Sequence, residues 1–292
     1  MMEVFPTRQT AAVLRCSRAY NHHHAFVTSS NSAPGKKEAS SRKVTNHSLP
    51  SIRSLRTNTR ASAASPPDIG SSSPSTSSAP PKKRLAVFVS GGGSNFKAIH
   101  AAILDGTFDA DVAAVVTNAP SCKGALYAQE HGIPVLVHPP PKTDPSTGLG
   151  ADELTDALVN AYTVDFIILA GYMKLVPAAL VRTYHHAILN IHPGLLPSFG
   201  GKGFYGSRVH QAVIQSGARF SGPTVHFIDE EYDTGPILAQ AVVPVLPTDS
   251  VDGLAARVLK EEHRLYPGCV AALCEGRITW RDDGIPIMWS AH

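Results

Sequence analysis

Asn190 and His192 stand two residues apart at the end of an apolar run, and Pro193 and Pro197 stiffen the chain that follows. Residues two apart in a strand project to the same side, so an amide and an imidazole would face one ligand. Such a pair suits acyl chemistry, with an N–H for a developing oxyanion and a ring that moves a proton. A purely structural Asn/His pair fits the same spacing. Downstream, Asp229-Glu230-Glu231-Tyr232-Asp233-Thr234-Gly235-Pro236 forms an acidic turn between two extended runs. A carboxylate from it near His192 would raise the imidazole pKa and keep the ring protonated; otherwise the turn is a solvated acidic loop. A third group, Ser90-Gly91-Gly92-Gly93-Ser94-Asn95, separates a strand-like run from a helical one. Glycines there admit close approach, and free N–H groups at the helix start favour an anion such as phosphate. The spacing is neither a Walker loop nor a dinucleotide fingerprint, so a small phosphorylated metabolite fits better than a nucleoside triphosphate. A plain turn remains the alternative.

The elements that must position these groups alternate. Short apolar runs at Leu85–Val89, Val112–Val116, Pro134–Val137, Phe166–Leu169 and Ala187–Ile191 predict strands. Amphipathic stretches from Ser94 to about Leu104 and at Gly124–His131, Asp152–Tyr162, Pro177–Tyr184 and Ser207–Gln215 predict helices. Thr224–Ile228 and Ile237–Val245 predict an antiparallel pair, and Val251–Cys274 a long terminal helix kinked at Pro267. His138–Gly150, with four prolines and two glycines, reads as an irregular loop. Strand–helix alternation of this kind specifies an α/β domain around a mostly parallel sheet, with helices on its faces. Ligands of such sheets bind beyond the carboxyl ends of the strands, which directs attention to the residues after Val89, Leu169 and Ile191.

Charge divides along the chain. Residues 1–80 hold ten bases and three acids, a balance of +7, which leaves sixteen bases and twenty acids, −4, for residues 81–292. The overall +3 therefore does not argue for a nucleic-acid partner of the folded part. Seventeen serines among residues 1–80, with few acids and no long apolar run, describe a disordered organelle transit peptide and linker, with a merely disordered tail as the alternative. His22-His23-His24 in that tail is read as incidental. No uncharged apolar stretch reaches the ~18–20 residues of a membrane span. Cys122, Cys269 and Cys274 cannot all pair and lack a C-x-x-C spacing, so reduced thiols and no metal site are expected.

Taken together and in this order, the three groups resemble the glycinamide ribonucleotide formyltransferase family of purine synthesis. The matching segments are Val89–Asn95, Leu169–Lys174, Leu189–Pro193, Leu195–Phe199 and Val225–Phe227 through Asp233–Ile237, continued by Arg257, Glu261-Glu262-His263 and Tyr266-Pro267. With its tail, the chain is similar to plant plastid forms. The resemblance implies the family's Rossmann-like fold over residues 81–292. It implies formyl transfer from 10-formyltetrahydrofolate, a co-substrate and not a bound cofactor, to the amine of the ribonucleotide. Gly93, Ser94 and Asn95 would hold the phosphate and Glu262 the ribose. Met173, Lys174, Leu175 and Val176 would line the folate pocket with Asn190, Asp229, Glu230, Glu231, Tyr232 and Asp233. Asn190, protonated His192 and Asp233 would carry catalysis. The segment Gly200–Gly206 is longer than in many bacterial relatives, and no Arg stands in Thr147–Asp152 for the folate glutamate.

The partners implied are small molecules alone, with no nucleic acid or membrane, for a monomer or homodimer in the plastid stroma or mitochondrion. Another folate-dependent formyltransferase, a formyltetrahydrofolate hydrolase and a non-catalytic metabolite-binding relative are the competing readings.

Overall fold

Leu85 to Val89 are fully buried, and their side chains alternate between two separate cores. Leu85, Val87 and Val89 face one, while Ala86 and Phe88 face the other. A strand buried on both faces reads as a continuous apolar run, which is why this run identifies the central strand. The computed structural model describes residues 81–291, all within one compact unit. The elements are β1 (Lys83–Val89), α1 (Ser94–Leu104), β2 (Ala110–Thr117), α2 (Lys123–Glu130), β3 (Val135–Val137), α3 (Ala151–Asp156), β4 (Phe166–Leu169), α4 (Ala178–Thr183), β5 (Ile188–His192) and α5 (Ser207–Ser216). They continue with β6 (Phe220–Ser221), β7 (Thr224–Phe227), β8 (Ile237–Gln240), β9 (Val243–Pro244), α6 (Val251–Cys274), β10 (Ile278–Trp280) and β11 (Pro286–Met288).

Seven strands form the main sheet in the order β3-β2-β1-β4-β5-β7-β8. The first five are parallel, and β7 and β8 are antiparallel additions at one side. The strand order reverses between β1 and β4, the place where open α/β sheets carry ligands. Helices α1 and α6 cover one face through Phe96, Ile99, Tyr266 and Val270; α3 and α4 cover the other through Leu154, Leu180 and Val181. Fully buried Tyr266 on α6 places its hydroxyl 3.0 Å from the Leu169 carbonyl and 2.9 Å from the Leu189 carbonyl. That contact ties the terminal helix to β4 and β5 beside the functional residues.

The expected α/β architecture and its mostly parallel sheet are present, with three local differences. The run Ile237–Val245 divides into β8 in the main sheet and β9 paired with β6, with Ala241 and Val242 in neither strand. A Cβ on Gly222 would lie 1.8 Å from the Ala241 carbonyl, so the close approach of the two segments requires glycine there. The helix expected over Asp152–Tyr162 is α-helical only through Asp156, followed by a π-helical turn at Ala157–Ala161. Helix α6 spans Val251–Cys274 as expected, with Pro267 inside it. The hairpin β10–β11 has no counterpart in the expected elements. Cys122, Cys269 and Cys274 are free thiols, and burial pushes Cys269 and Cys274 up to about 12. Among the described residues no helix is long and apolar enough to cross a membrane, and no cluster of three or more His, Cys, Asp or Glu is placed to hold a metal. Cys16, His22–His24 and the expected transit segment lie outside the described residues.

Candidate active site

The end of β5 is built against β7, whose antiparallel register sets Asn190 opposite His226 and His192 opposite Thr224. Asn190 Nδ2 donates to His226 Nε2 at 3.0 Å, and His226 Nδ1 donates to the Phe227 carbonyl at 2.8 Å. An acceptor at Nε2 and a donor at Nδ1 define one neutral tautomer. Burial lowers the His226 pKa and so maintains that state. The amide of Asn190 is thereby oriented, and its second N–H is left for a ligand.

His192 is only 3% exposed. Its Nε2 donates to the Phe199 carbonyl at 2.9 Å, and its Nδ1 lies 3.5 Å from Asp233 Oδ2. Acceptors at both nitrogens favour the imidazolium. Burial nevertheless outweighs them, and the His192 pKa lies below its ordinary 6.5. The carboxylate acts with the sign that the sequence leads one to expect, but it does not keep the resting ring protonated at neutral pH.

Asp233 is anchored by one backbone hydrogen bond and lies beside both imidazoles. Its Oδ2 accepts the Gly201 N–H at 2.9 Å, and its Oδ1 lies 3.7 Å from His226 Nε2. The backbone at Asp233 has φ 59° and that at Phe199 φ 56°. Left-handed backbone is tolerated by Asp and unusual for a bulky aromatic residue, so the segment around Phe199 holds a costly conformation at the place where its carbonyl meets His192. A Cβ on Gly200 would stand 2.4 Å from Leu196 Cδ2 and 3.2 Å from Asp233 Cβ, so a side chain there requires Leu196 to move. A cavity of about 300 Å³ opens over this cluster, lined by Leu196, Pro197, Gly200, Gly201, Tyr232, Asp233, Thr234, Gly235 and Ile237. Asp233 reaches its wall, while His192 and Asn190 lie behind.

The second cluster is at α1. Gly93 occupies the N-cap with φ 68° and offers no side-chain cap, so the first amides of α1 stay available to an anion. Asn95 Nδ2 donates to Glu262 Oε2 at 2.7 Å, joining α1 to α6. Burial raises the Glu262 pKa, and the Asn95 hydrogen bond opposes it. Asn95 Oδ1 is buried with no hydrogen-bond partner in the structure. The loop rests on α2: Gly124 donates to the Gly91 carbonyl at 3.0 Å, and a Cβ on Gly93 would stand 2.7 Å from the Gly124 Cα. A Cβ on Gly124 itself would meet Val89 at 3.1 Å and Gly93 at 3.3 Å. Gly124→Ala is therefore expected to push the loop off its seat. The KM for a phosphorylated substrate should rise about tenfold, roughly 1.4 kcal/mol, with little change for a substrate bound elsewhere; steady-state kinetics with each substrate varied checks this.

The remaining sequence candidates are placed differently. Met173, Lys174 and Leu175 are exposed and Val176 is buried, in the segment after β4, and none of them lines the 300 Å³ cavity. Asp229 shapes its own turn by accepting from Glu231 N and Thr234 Oγ1. Glu230 pairs with Arg182 at 2.9 Å, and Glu231 is exposed. Tyr232 does line the cavity. Sequence reasoning assigned no role to His226, Phe199 or Gly201. A His flanked by Val and Phe in an apolar strand was the available signal for the first.

Three deeply buried histidines, His192, His210 and His226, have pKa values lowered by burial. Depressed folded values mean that the unfolded chain takes up protons first as pH falls below 6.5. Stability is thus complete above about pH 7 and is lost below 6.5, by roughly 1.4 kcal/mol per pH unit for each histidine until its folded value is reached. Denaturant midpoints measured from pH 8 to pH 5 should be flat and then fall.

A family model described as formyl transferase matches residues 83–270. Phosphoribosylglycinamide formyltransferase, chloroplastic, of Arabidopsis thaliana is 56% identical over 227 residues, covering 78% of this chain and 77% of that protein. Phosphoribosylglycinamide formyltransferase of Haemophilus influenzae is 35% identical over 200 residues, 68% of this chain and 91% of that protein. The crystal structure of phosphoribosylglycinamide formyltransferase from Anaplasma phagocytophilum superposes with a TM-score of 0.62 at 33% identity, covering 73% of this chain and 97% of that one. A sheet that reverses at β1/β4, an uncapped helix beside it and an Asn–His–Asp cluster agree with that kinship, and the chain belongs to the formyl transferase family, among its phosphoribosylglycinamide formyltransferases.

Proposed function

We propose that the chain transfers the formyl group of 10-formyltetrahydrofolate to the amine of N1-(5-phospho-D-ribosyl)glycinamide, a step of purine synthesis. The observation that carries the reading is the Asn190–His192–Asp233 cluster, packed beside a cavity in a chain of this family. The amine attacks the formyl carbon, so nitrogen gains positive charge and the formyl oxygen negative charge. The Asn190 N–H is oriented by His226 to stabilise that oxygen. The neutral resting His192 with the Asp233 carboxylate accepts the proton shed by the new C–N nitrogen. It then returns the proton to the folate nitrogen as the old C–N bond breaks, leaving tetrahydrofolate. No charge is left over, and the cycle needs no bound cofactor among these residues.

The uncapped amides of Gly93, Ser94 and Asn95 hold the phosphate, and Glu262 meets the ribose from α6. Met173, Lys174, Leu175 and Val176 border the folate on one side, and the turn Asp229, Glu230, Glu231, Tyr232, Asp233 on the other. Residues 81–292, at −4, offer no general positive field, so anionic substrates depend on these local groups. Residues 1–80 act as a transit peptide to the plastid, in keeping with the chloroplastic naming of the Arabidopsis relative.

The purified chain should formylate the ribonucleotide with 10-formyltetrahydrofolate, and turnover should vanish without either substrate. Folate hydrolysis independent of the ribonucleotide would instead establish a hydrolase. A fusion of residues 1–80 to a fluorescent protein should enter plastids, and a diffuse cytosolic signal would refute the targeting role.

A further inference from the structure

We infer that Ser90 is a positioning residue that couples the two substrate subsites, so that ribonucleotide and folate each strengthen the binding of the other. The inference deepens the substrate reading above and rests on it. Ser90 is the first residue after β1 and opens the loop that ends in the anion-binding amides. Its N–H donates to the Gly171 carbonyl at 3.2 Å. Its Oγ accepts the Met173 N–H at 2.8 Å and donates to Asn118 Oδ1. A hydroxyl has one hydrogen and two acceptor positions, so the hydrogen is committed to Asn118 and one acceptor position to Met173. One side chain therefore joins the loops after β1, β2 and β4.

The position gives this junction its consequence. It lies where the sheet order reverses, between β1 and β4. On one side the chain runs three residues to Gly93 and α1. On the other, Met173 begins the segment Met173–Val176 that borders the folate. That segment is clamped once more next door: Tyr172 Oη donates to the His138 carbonyl at 2.8 Å, and its ring meets Phe88 edge-on at 5.2 Å. Gly171, with φ 82°, turns the chain so that its carbonyl and the Met173 N–H both reach Ser90. Phosphate binding that fixes the loop also fixes Ser90, and with it the amide that orders the folate wall. Ordering set by the first ligand is not required again by the second, which is positive coupling, and coupling between two binding equilibria is reciprocal. A single hydroxyl with two bonds supports a coupling factor of about two- to tenfold.

The test is calorimetric titration of the full chain with the ribonucleotide, alone and with saturating tetrahydrofolate, and the reverse pair. Tetrahydrofolate carries no formyl group, so both ligands sit together without reaction. The wild-type chain should show equal mutual tightening of about two- to tenfold. Ser90→Ala should bring the factor close to one, and Ser90→Thr, which keeps the hydroxyl, should restore it. Asn118→Ala offers a second route to the same loss, and Asn118→Asp, which keeps the acceptor, should retain the coupling. Unchanged coupling in folded Ser90→Ala or Asn118→Ala, or a wild-type factor of one with both ligands bound, overturns the inference and leaves the substrate reading standing. Failure of the wild-type chain to bind either ligand overturns the substrate reading and the inference with it.

Discussion

His192→Ala is expected to lower kcat for formyl transfer by about 10²–10⁴-fold while the Kd for the ribonucleotide changes little. The two effects separate because the ring nitrogens of His192 face Asp233 and the Phe199 carbonyl, whereas Gly93 and Asn95 belong to the cluster at α1. Removing the ring takes away the group proposed to hold a proton between attack and collapse. It also leaves the Phe199 carbonyl without its donor and opens a gap at a site only 3% exposed. A stability loss of about 2–4 kcal/mol accompanies the change, so circular dichroism melts must confirm that the variant is folded at the assay temperature. A folded variant that retains more than a tenth of wild-type kcat would remove His192 from the proton path. Asn190→Ala gives the complementary result. It withdraws one oxyanion donor, for about a 10²–10³-fold loss, and frees His226 Nε2 of its partner.

The strands that hold these groups were legible in the sequence because burial on both faces leaves an apolar run with little else in it. β1, β4 and β5 stand where such runs occur, and the Asn190/His192 pair follows from the two-residue period of a strand. What surrounds the pair was not legible in the same way. His226 meets Asn190 only through the β5–β7 register, and register between strands 36 residues apart is set by the fold and not by local spacing. Phe199 contributes a backbone carbonyl, for which side-chain type is silent. The pKa balance at His192 is likewise a property of packing: the sequence offers the carboxylate, whereas the burial that outweighs it comes from every neighbour at once. Gly124 shows the opposite case. A glycine at the start of a helix is unremarkable until Gly93 is found against it, so close that a Cβ on Gly93 would stand 2.7 Å from the Gly124 Cα.

Asp233→Asn tests the electrostatics with least disturbance to shape. Asn tolerates the left-handed backbone at φ 59°, and its amide oxygen still accepts the Gly201 N–H that Asp233 Oδ2 accepts at 2.9 Å. What disappears is the negative charge 3.5 Å from His192 Nδ1 and 3.7 Å from His226 Nε2. Burial already lowers both imidazole pKa values, and the carboxylate offsets part of that lowering. Its loss must lower them further. In the wild-type enzyme kcat/KM should fall on acidification, as the resting His192 takes up a proton and can no longer accept one from the amine. The limb reports protonation of His192 beside the Asp233 carboxylate. In the Asn variant that limb should move to lower pH or vanish from the accessible range, because the site resists protonation more strongly. The plateau should nonetheless drop by about 10²–10³-fold, since the cation formed during transfer has lost its counter-charge. An acidic limb that moves to higher pH, or a plateau within tenfold of wild type, would show that Asp233 shapes the Gly200–Gly201 turn and takes no part in moving the proton.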